Sequence, residues 1–195
     1  WSPDSTSIAY VVAGRLKKVA AAGGASEDIS EAKDFSGGAW SAAGSGTILF
    51  GTPRGISRVS AEGGPATAIT ELGQGETGHF WPSFLPDGTH YTYLAWSEDA
   101  ATRAVYVGTL DTKDKQKLMA EESNAVYAAS TRSRGYLFFH RGPTLFAPPF
   151  NAKTLAFTGE PAQVAGGVAV GQTGRGLFGV SQTGALIYFQ GSGGG

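Results

Sequence analysis

The feature that most constrains this chain is an internal duplication. Residues 7–29, moved forward by forty positions, fall on residues 47–69 without a gap. Ile8 meets Ile48, Leu16 meets Ile56, Lys18 meets Arg58, Val19 meets Val59, Gly23-Gly24 meets Gly63-Gly64 and Ile29 meets Ile69. Apolar positions, a basic position and a double-glycine turn at one offset define a repeated structural unit. Periods of ~40–50 residues belong to repeat architectures, in which each unit buries its face against the next. Looser copies follow: with Ile8, Ile48, Tyr91, Leu137 and Ile187 as equivalent anchors, the spacings are 40, 43, 46 and 50.

The residues within each unit point to strands. Thirty glycines among 195 residues is about twice the usual ~7%, and the charged fraction falls below the usual ~25%. Val, Ile, Tyr and Phe are frequent, and no long 3.5- or 3.6-residue period exists, so short strands joined by tight turns are expected. They are placed near 7–12, 15–21 and 26–30, then 47–51, 55–60 and 66–71. The next unit supplies 79–84, 90–96, 104–110 and 116–120, with a polar bulge at 97–102. Strands near 125–129, 135–140, 144–150 and 161–165 follow, and the last two lie near 176–181 and 185–190. Pro148-Pro149 suits an irregular end or exposed edge.

Turns recur at matching places. Trp1-Ser2-Pro3-Asp4-Ser5 is answered by Trp40-Ser41 with a looser turn at 42–46, and again by Phe84-Leu85-Pro86-Asp87-Gly88. In these turns Pro presets φ, Asp folds back on nearby amides and Gly takes positive φ. Asp4, Asp87, Gly88, Gly23, Gly24, Gly63 and Gly64 are therefore read as structural turn residues. Four short strands per ~40–45 residues is the spacing of a propeller blade. The expected fold is all-β: a partial or small β-propeller of about four to five blades, each a four-stranded antiparallel sheet. It occupies 1–190 as a single domain or fragment, with units about 1–34, 35–72, 73–121, 122–167 and 168–190. Residues 191–195 form a Gly/Ser linker-like tail, and the chain reads as a piece of something longer. The fifth unit supplies only two strands. Strand 176–181 either completes the opening blade and closes a ring of four, or the chain is an open arc of about five units, the favoured reading. Unpaired blade edges would then invite self-association.

The Trp-Ser-Pro-Asp and Leu-Pro-Asp-Gly turns, with the paired Gly-Gly positions, resemble the TolB-type, WD40-like (PD40) propeller repeat. The likeness is strong in the first three units and weaker in the last two, where 129–135 and Gln182-Thr183-Gly184 stand in place of Pro-Asp-Gly. Leu85 to His90, Gly159-Glu160-Pro161 and Val180 to Tyr188 are similar to propeller regions attached to bacterial serine/threonine kinases. That resemblance implies a sensor role in a larger signalling protein and a periplasmic or extracytoplasmic location; the residues alone leave the compartment open. No Gly-rich ATP loop with its strand-borne Lys and no His-Arg-Asp loop is present in this segment.

The remaining chemistry is sparse. A formal charge of −1 gives no basic surface for nucleic acid, and the basic run 113–117 reads as a solvated turn. No run of ~18 apolar residues exists to insert in a membrane as a helix. With no cysteine, disulfides and thiolate metal sites are excluded. Gly73 to Gly78 matches G-x-G-x-x-G, but a strand-like segment ending in Pro82 follows where a nucleotide site needs a helix. Ser30-Glu31-Ala32-Lys33 matches S-x-x-K without its helical setting, and there is no G-x-S-x-G elbow or H-E-x-x-H helix. His90 and His140 are read as packing or edge residues. The loops leading into the innermost strands converge in a propeller, and here they would carry Asp34, Glu76, His79, Glu122, Asn124 and Gln172 to the channel mouth. Carboxylates with Asn and His suit a divalent cation such as calcium, or acid–base work, although no cofactor is required. Phe80, Trp81, Phe84, Tyr91, Tyr93 and Trp96 are expected to pack between sheets, with Trp81 or Trp96 as the candidate for exposed stacking. The expectation is a non-catalytic module binding a protein or small-molecule ligand. The alternative is a hydrolase, a metal-assisted esterase or lactonase or a glycosidase, acting at the channel mouth.

Overall fold

The structure is a computed structural model that describes residues 1–43, 46–130, 134–181 and 184–191. Parts of the expected turns at 42–46 and 129–135, the Gln182-Thr183 pair and most of the tail lie outside the described residues. Every named strand pairing is antiparallel.

The first sheet contains β1 (Ser7–Val12), β2 (Arg15–Ala20) and β3 (Glu27–Glu31). The second contains β4 (Gly38–Trp40), β5 (Thr47–Thr52), β6 (Gly55–Ser60) and β7 (Thr67–Ala68). Strands β1 and β2 stand forty residues before β5 and β6 at both ends. The double-glycine turns adopt the same shape, with φ of +91° and +124° at Gly23 and Gly24 and +95° and +127° at Gly63 and Gly64. A side chain would clash with the following carbonyl in that region, so the duplicated glycines specify duplicated backbone. The short β4 has no strand forecast from sequence. The strand expected at 66–71 is cut to two residues because the Thr70 hydroxyl, rather than another carbonyl, takes the Ile56 N–H at 2.7 Å.

The third blade contains β8 (Glu76–Phe84), β9 (His90–Ser97), β10 (Ala104–Thr109) and β11 (Lys115–Met119). In place of a bulge at 97–102 there is a 3-10 turn over Ala100–Thr102, capped by the Asp99 carboxylate accepting from the Ala101 N–H at 2.9 Å. The fourth blade contains β12 (Val126–Ala129), β13 (Arg134–Arg141), β14 (Thr144–Phe146) and, after the hairpin β15 (Pro149–Asn151) and β16 (Ala156–Phe157), β17 (Gln163–Ala165). The single strand expected at 144–150 is thus two. β14 pairs with Phe139 to Arg141, and β15 with Arg134 to Tyr136; Pro148, lacking an N–H, sits at the break. The last unit holds β18 (Phe178–Val180) and β19 (Leu186–Tyr188).

Among the described residues β1 pairs only with β2, and β18 only with β19. Strand 176–181 therefore does not pair with β1, and it does not complete the first blade as the alternative reading expected. The second and third blades meet at the bridge between Thr52 and His79 and at the hydrogen bond from the Trp81 N–H to the Ser36 carbonyl at 3.0 Å. The core lies between blades. Leu16, Ile29, Ile48, Phe50 and Val59 fill the first interface. Leu49, Ile56, Tyr91, Tyr93 and Ala95 fill the second, and Leu94, Val105, Leu137 and Phe150 the third.

Gly51 marks a close approach of backbone to backbone between the second and third blades. A Cβ there would stand 2.7 Å from the carbonyl oxygens of both His79 and Ser36. Neither is a flexible side chain, so Gly51→Ala must push β5 away from β8. The expected cost is about 1–3 kcal/mol, read as a lower urea midpoint with an unchanged slope; an unaltered midpoint would refute the close approach.

Candidate functional site

The innermost strands β4, β8, β12 and β18 pack side by side. Near their far ends they surround a cavity of about 400 Å³, lined by Trp40, Phe84, Pro86, Tyr127, Ala129 and Val180 among others. The aspartate turns lie close by. Asp87 Oδ1 accepts from the Thr89 and His90 N–H groups, each at 2.9 Å, and its Oδ2 is 2.6 Å from His90 Nδ1. Asp4 repeats the pattern, accepting from the Ser2 hydroxyl at 2.6 Å and the Thr6 N–H at 3.1 Å. The hydrogen bond from Ser2 foremost, then those from Thr6, hold the Asp4 carboxyl below its ordinary range.

Trp81 lies within β8. Its backbone is left-handed, with φ of +54°. Its ring lies against Gly37, where a Cβ would stand 2.4 Å from the indole. Its N–H donates to the Thr173 carbonyl at 2.8 Å, and the Arg175 guanidinium stands 5.1 Å from the ring centre. One indole therefore ties together segments from the second, third and last units. The surface expected for ligand stacking is occupied from within the chain. Trp96 is covered likewise, by Arg103 at 3.7 Å.

The residues expected at the mouth fall into separate groups. His79 and Glu76 form one. His79 is fully enclosed, its Nε2 lies 2.9 Å from Glu76 Oε2, and its Nδ1 lies 2.7 Å from Thr70 Oγ1. The ionised Glu76 carboxylate can only accept, so Nε2 carries the proton, and Nδ1 of the neutral ring accepts from the Thr70 hydroxyl. Burial holds the imidazole below its ordinary 6.5, against the upward pull of Glu76. For Glu76, burial works upward, but the Gly73 N–H and His79 prevail and hold the carboxyl low. A hydroxyl, imidazole and carboxylate in line resemble a nucleophilic triad, yet this hydroxyl already serves the Ile56 amide and the ring is shut from solvent.

Asn124, Glu122 and Gln172 form the second group, around the 172–174 turn. The Asn124 side chain accepts from the Gly176 N–H at 2.8 Å and donates to the Gly176 carbonyl at 3.3 Å. The Glu122 carboxylate pairs with Arg103 at 2.5 Å. Gly174 is so close to Glu122 that a Cβ would stand 2.9 Å from its side chain. Gln172 is exposed in that turn, and Asp34 is exposed at a left-handed position of its own, with φ of +56°. Among the described residues no three His, Asp or Glu side chains converge in a metal-binding geometry. His140 is buried between the carbonyls of Gly142 and Gly174, at 3.1 and 3.0 Å. Sequence reasoning missed Thr70 and Arg175. Neither stands in a motif, and both acquire their roles only through contacts with another unit.

Two outcomes follow. The unfolded chain takes up a proton at His79 near pH 6.5 while the folded one resists it, so this residue's contribution is complete above that pH and is lost as pH falls through it. Glu76 adds a further loss below its ordinary 4.5. His79→Gln should flatten the stability profile between about pH 7 and 5, measured by urea unfolding across pH; an unchanged slope would count against the neutral, enclosed imidazole. Asn124→Ala leaves the Gly176 N–H without its partner, while the Gly176 carbonyl keeps the Phe178 N–H at 2.9 Å, so a loss of about 1–3 kcal/mol is expected. Faster hydrogen exchange at Gly176 would accompany it, and unchanged protection there would contradict the assignment.

No protein-family model matches the chain, and no curated protein matches it. Solved structures do. A TolB structure from Agrobacterium tumefaciens superposes with a TM-score of 0.71 at 15% identity, over 96% of this chain and 67% of its own. TolB from Acinetobacter baumannii gives 0.66 at 19% identity, over 97% of this chain and 48% of its own. A calcium-binding protein, regucalcin, from Agrobacterium tumefaciens gives 0.67 at 16% identity, over 97% and 65%. The chain thus spans about half to two thirds of the length of these proteins, and its sheets are arranged as theirs are: it has the TolB-like β-propeller fold.

Proposed function

We propose that this chain is a non-catalytic recognition module, the sensing part of a larger signalling protein, which receives a protein segment or small molecule at the channel. The observation that carries the reading is how the polar groups are spent. His79, Glu76, Asn124 and Glu122 are bonded to the chain's own backbone and side chains, and the Trp81 indole is bonded to the Thr173 carbonyl. Between β4, β8, β12 and β18 there remains a cavity with Trp40, Phe84 and Tyr127 in its wall, the kind of aromatic surface on which binding energy concentrates. An extracytoplasmic location and an attached kinase belong to this proposal through the resemblance of the repeats. Self-association through the free edges of the end sheets belongs to it as well; Ile187 is 75% exposed there.

Purified protein is expected to hold no stoichiometric metal and to leave ester, lactone and glycoside substrates intact, with or without chelator. Peptides selected on the immobilised protein should lose about 2 kcal/mol or more on Trp40→Ala. Chelator-sensitive turnover that disappears on Glu122→Gln would replace this reading with a hydrolase at the channel mouth, with calcium or another divalent cation as the ion to test.

A further inference from the structure

A larger cavity, of about 820 Å³, opens between the first and second blades and shares no wall residue with the channel cavity. Residues 29–33, the end of β3 and the stretch after it, form one wall. Phe50, Thr52, Arg54 and Ser57, with residues of the 64–68 stretch, form the other. Ser30 and Lys33 of the Ser30-Glu31-Ala32-Lys33 match both border this cavity. They do not make a nucleophile and its base, because Lys33 Nζ is held by Glu31 Oε1 at 2.6 Å.

Two groups in these walls are uncommitted among the described residues. Ser30 is only 6% exposed, yet its hydroxyl makes no hydrogen bond and keeps accessible surface. The guanidinium of Arg54, in the β5–β6 turn, makes no hydrogen bond and no ion pair within contact distance. The neighbouring charges are engaged. Asp28 lies 3.6 Å from Arg15 and 3.2 Å from Lys17, and Lys33 foremost holds the Glu31 carboxyl below its ordinary range. Arg15, Lys17, Lys33 and Arg54 thus stand against Asp28, Glu31 and, next in sequence to Lys33, Asp34. One positive charge is left over, and Arg54 is the cation without a carboxylate in contact.

A single excess charge suits one carboxylate, whose two oxygens match the planar guanidinium fork, better than a dianion. The remaining wall is largely apolar, with Ile29, Ala32, Phe50, Pro65, Ala66 and Ala68, and the volume falls within the ~300–1,000 Å³ of small-molecule sites. We infer that this cavity binds a small organic monocarboxylate, drawn in by Arg54, with the Ser30 hydroxyl donating to one of its oxygens and its carbon body lying against the apolar wall. The site lies apart from the channel and holds whatever the channel receives.

The test is ligand-observed NMR with 3-phenylpropionate and octanoate, set against 3-phenylpropanamide, 3-phenylpropylamine and succinate, on wild type, Arg54→Gln and Ser30→Ala. Wild type should bind at least one monocarboxylate in preference to the amide, the amine and the dianion, and more weakly as salt is raised. Arg54→Gln should weaken that binding about tenfold and Ser30→Ala about threefold. The ligand-free melting temperatures of both variants should stay at the wild-type value, since neither side chain has a partner in the protein to lose. Absence of binding, an amide held as well as the acid, preference for succinate, or binding unchanged in either variant would each overturn the inference.

Discussion

The joint between the second and third blades is a relay of hydrogen bonds from the Ile56 amide through Thr70 and His79 to Glu76. Its members come from three segments, β6, the stretch after β7, and β8, which supplies both His79 and Glu76. The Glu76 carboxylate can only accept, so the imidazole donates to it from Nε2, and Nδ1 of the neutral ring then accepts from the Thr70 hydroxyl. Burial of a neutral ring is tolerable because both nitrogens are satisfied. The same histidine supplies the backbone bridge to Thr52, and Gly51 lets the two sheets close at that point. A loosened relay would expose the aromatic layer of Tyr91, Tyr93 and Tyr106 that rests against it.

The remaining joints solve the same problem with other chemistry. Between the first two blades the contact is aliphatic and aromatic, and the Gly64 N–H reaches back to the Ile29 carbonyl at 3.1 Å. Between the fourth and last units the Asn124 amide imitates a strand neighbour for Gly176, supplying both the donor and the acceptor. At the axis a single indole reaches across. Sheets that twist around a common axis leave a wedge-shaped gap at each interface, filled by large residues outside and by glycine where backbones meet. This is why Gly37, Gly51 and Gly174 each face another unit's backbone or a bulky side chain.

These joints also govern what the fold can offer chemically. Carboxylates, histidine and asparagine brought to the axis could have remained open to solvent, as a metal or acid–base site requires. In this chain Glu76, His79, Glu122 and Asn124 are bonded within the protein. What stays available is surface of another kind: an aromatic cavity between the inner strands and a cavity bordered by Arg54 between the first two blades.

The fold was legible because repetition is a property of sequence. The forty-residue offset, the paired glycines and the Pro-Asp turns each specify local backbone, and local backbone repeated with apolar strands leaves stacked sheets as the arrangement that buries them. Strand limits failed where a side chain from elsewhere replaced a ladder bond, as Thr70 does, or where one strand was shared by two partners, as β13 is by β14 and β15. The site was legible only in outline. From sequence, Asp34, Glu76, His79, Glu122, Asn124 and Gln172 were expected in converging loops, but whether such residues meet one another or a neighbouring backbone depends on distances of an ångström or two between units. The amino-acid order determined the repeating sheets. Tertiary structure alone decided which polar groups were bound within the protein and which, like the Ser30 hydroxyl, were left without a partner among the described residues, because hydrogen bonds between distant segments exist only once the blades have packed.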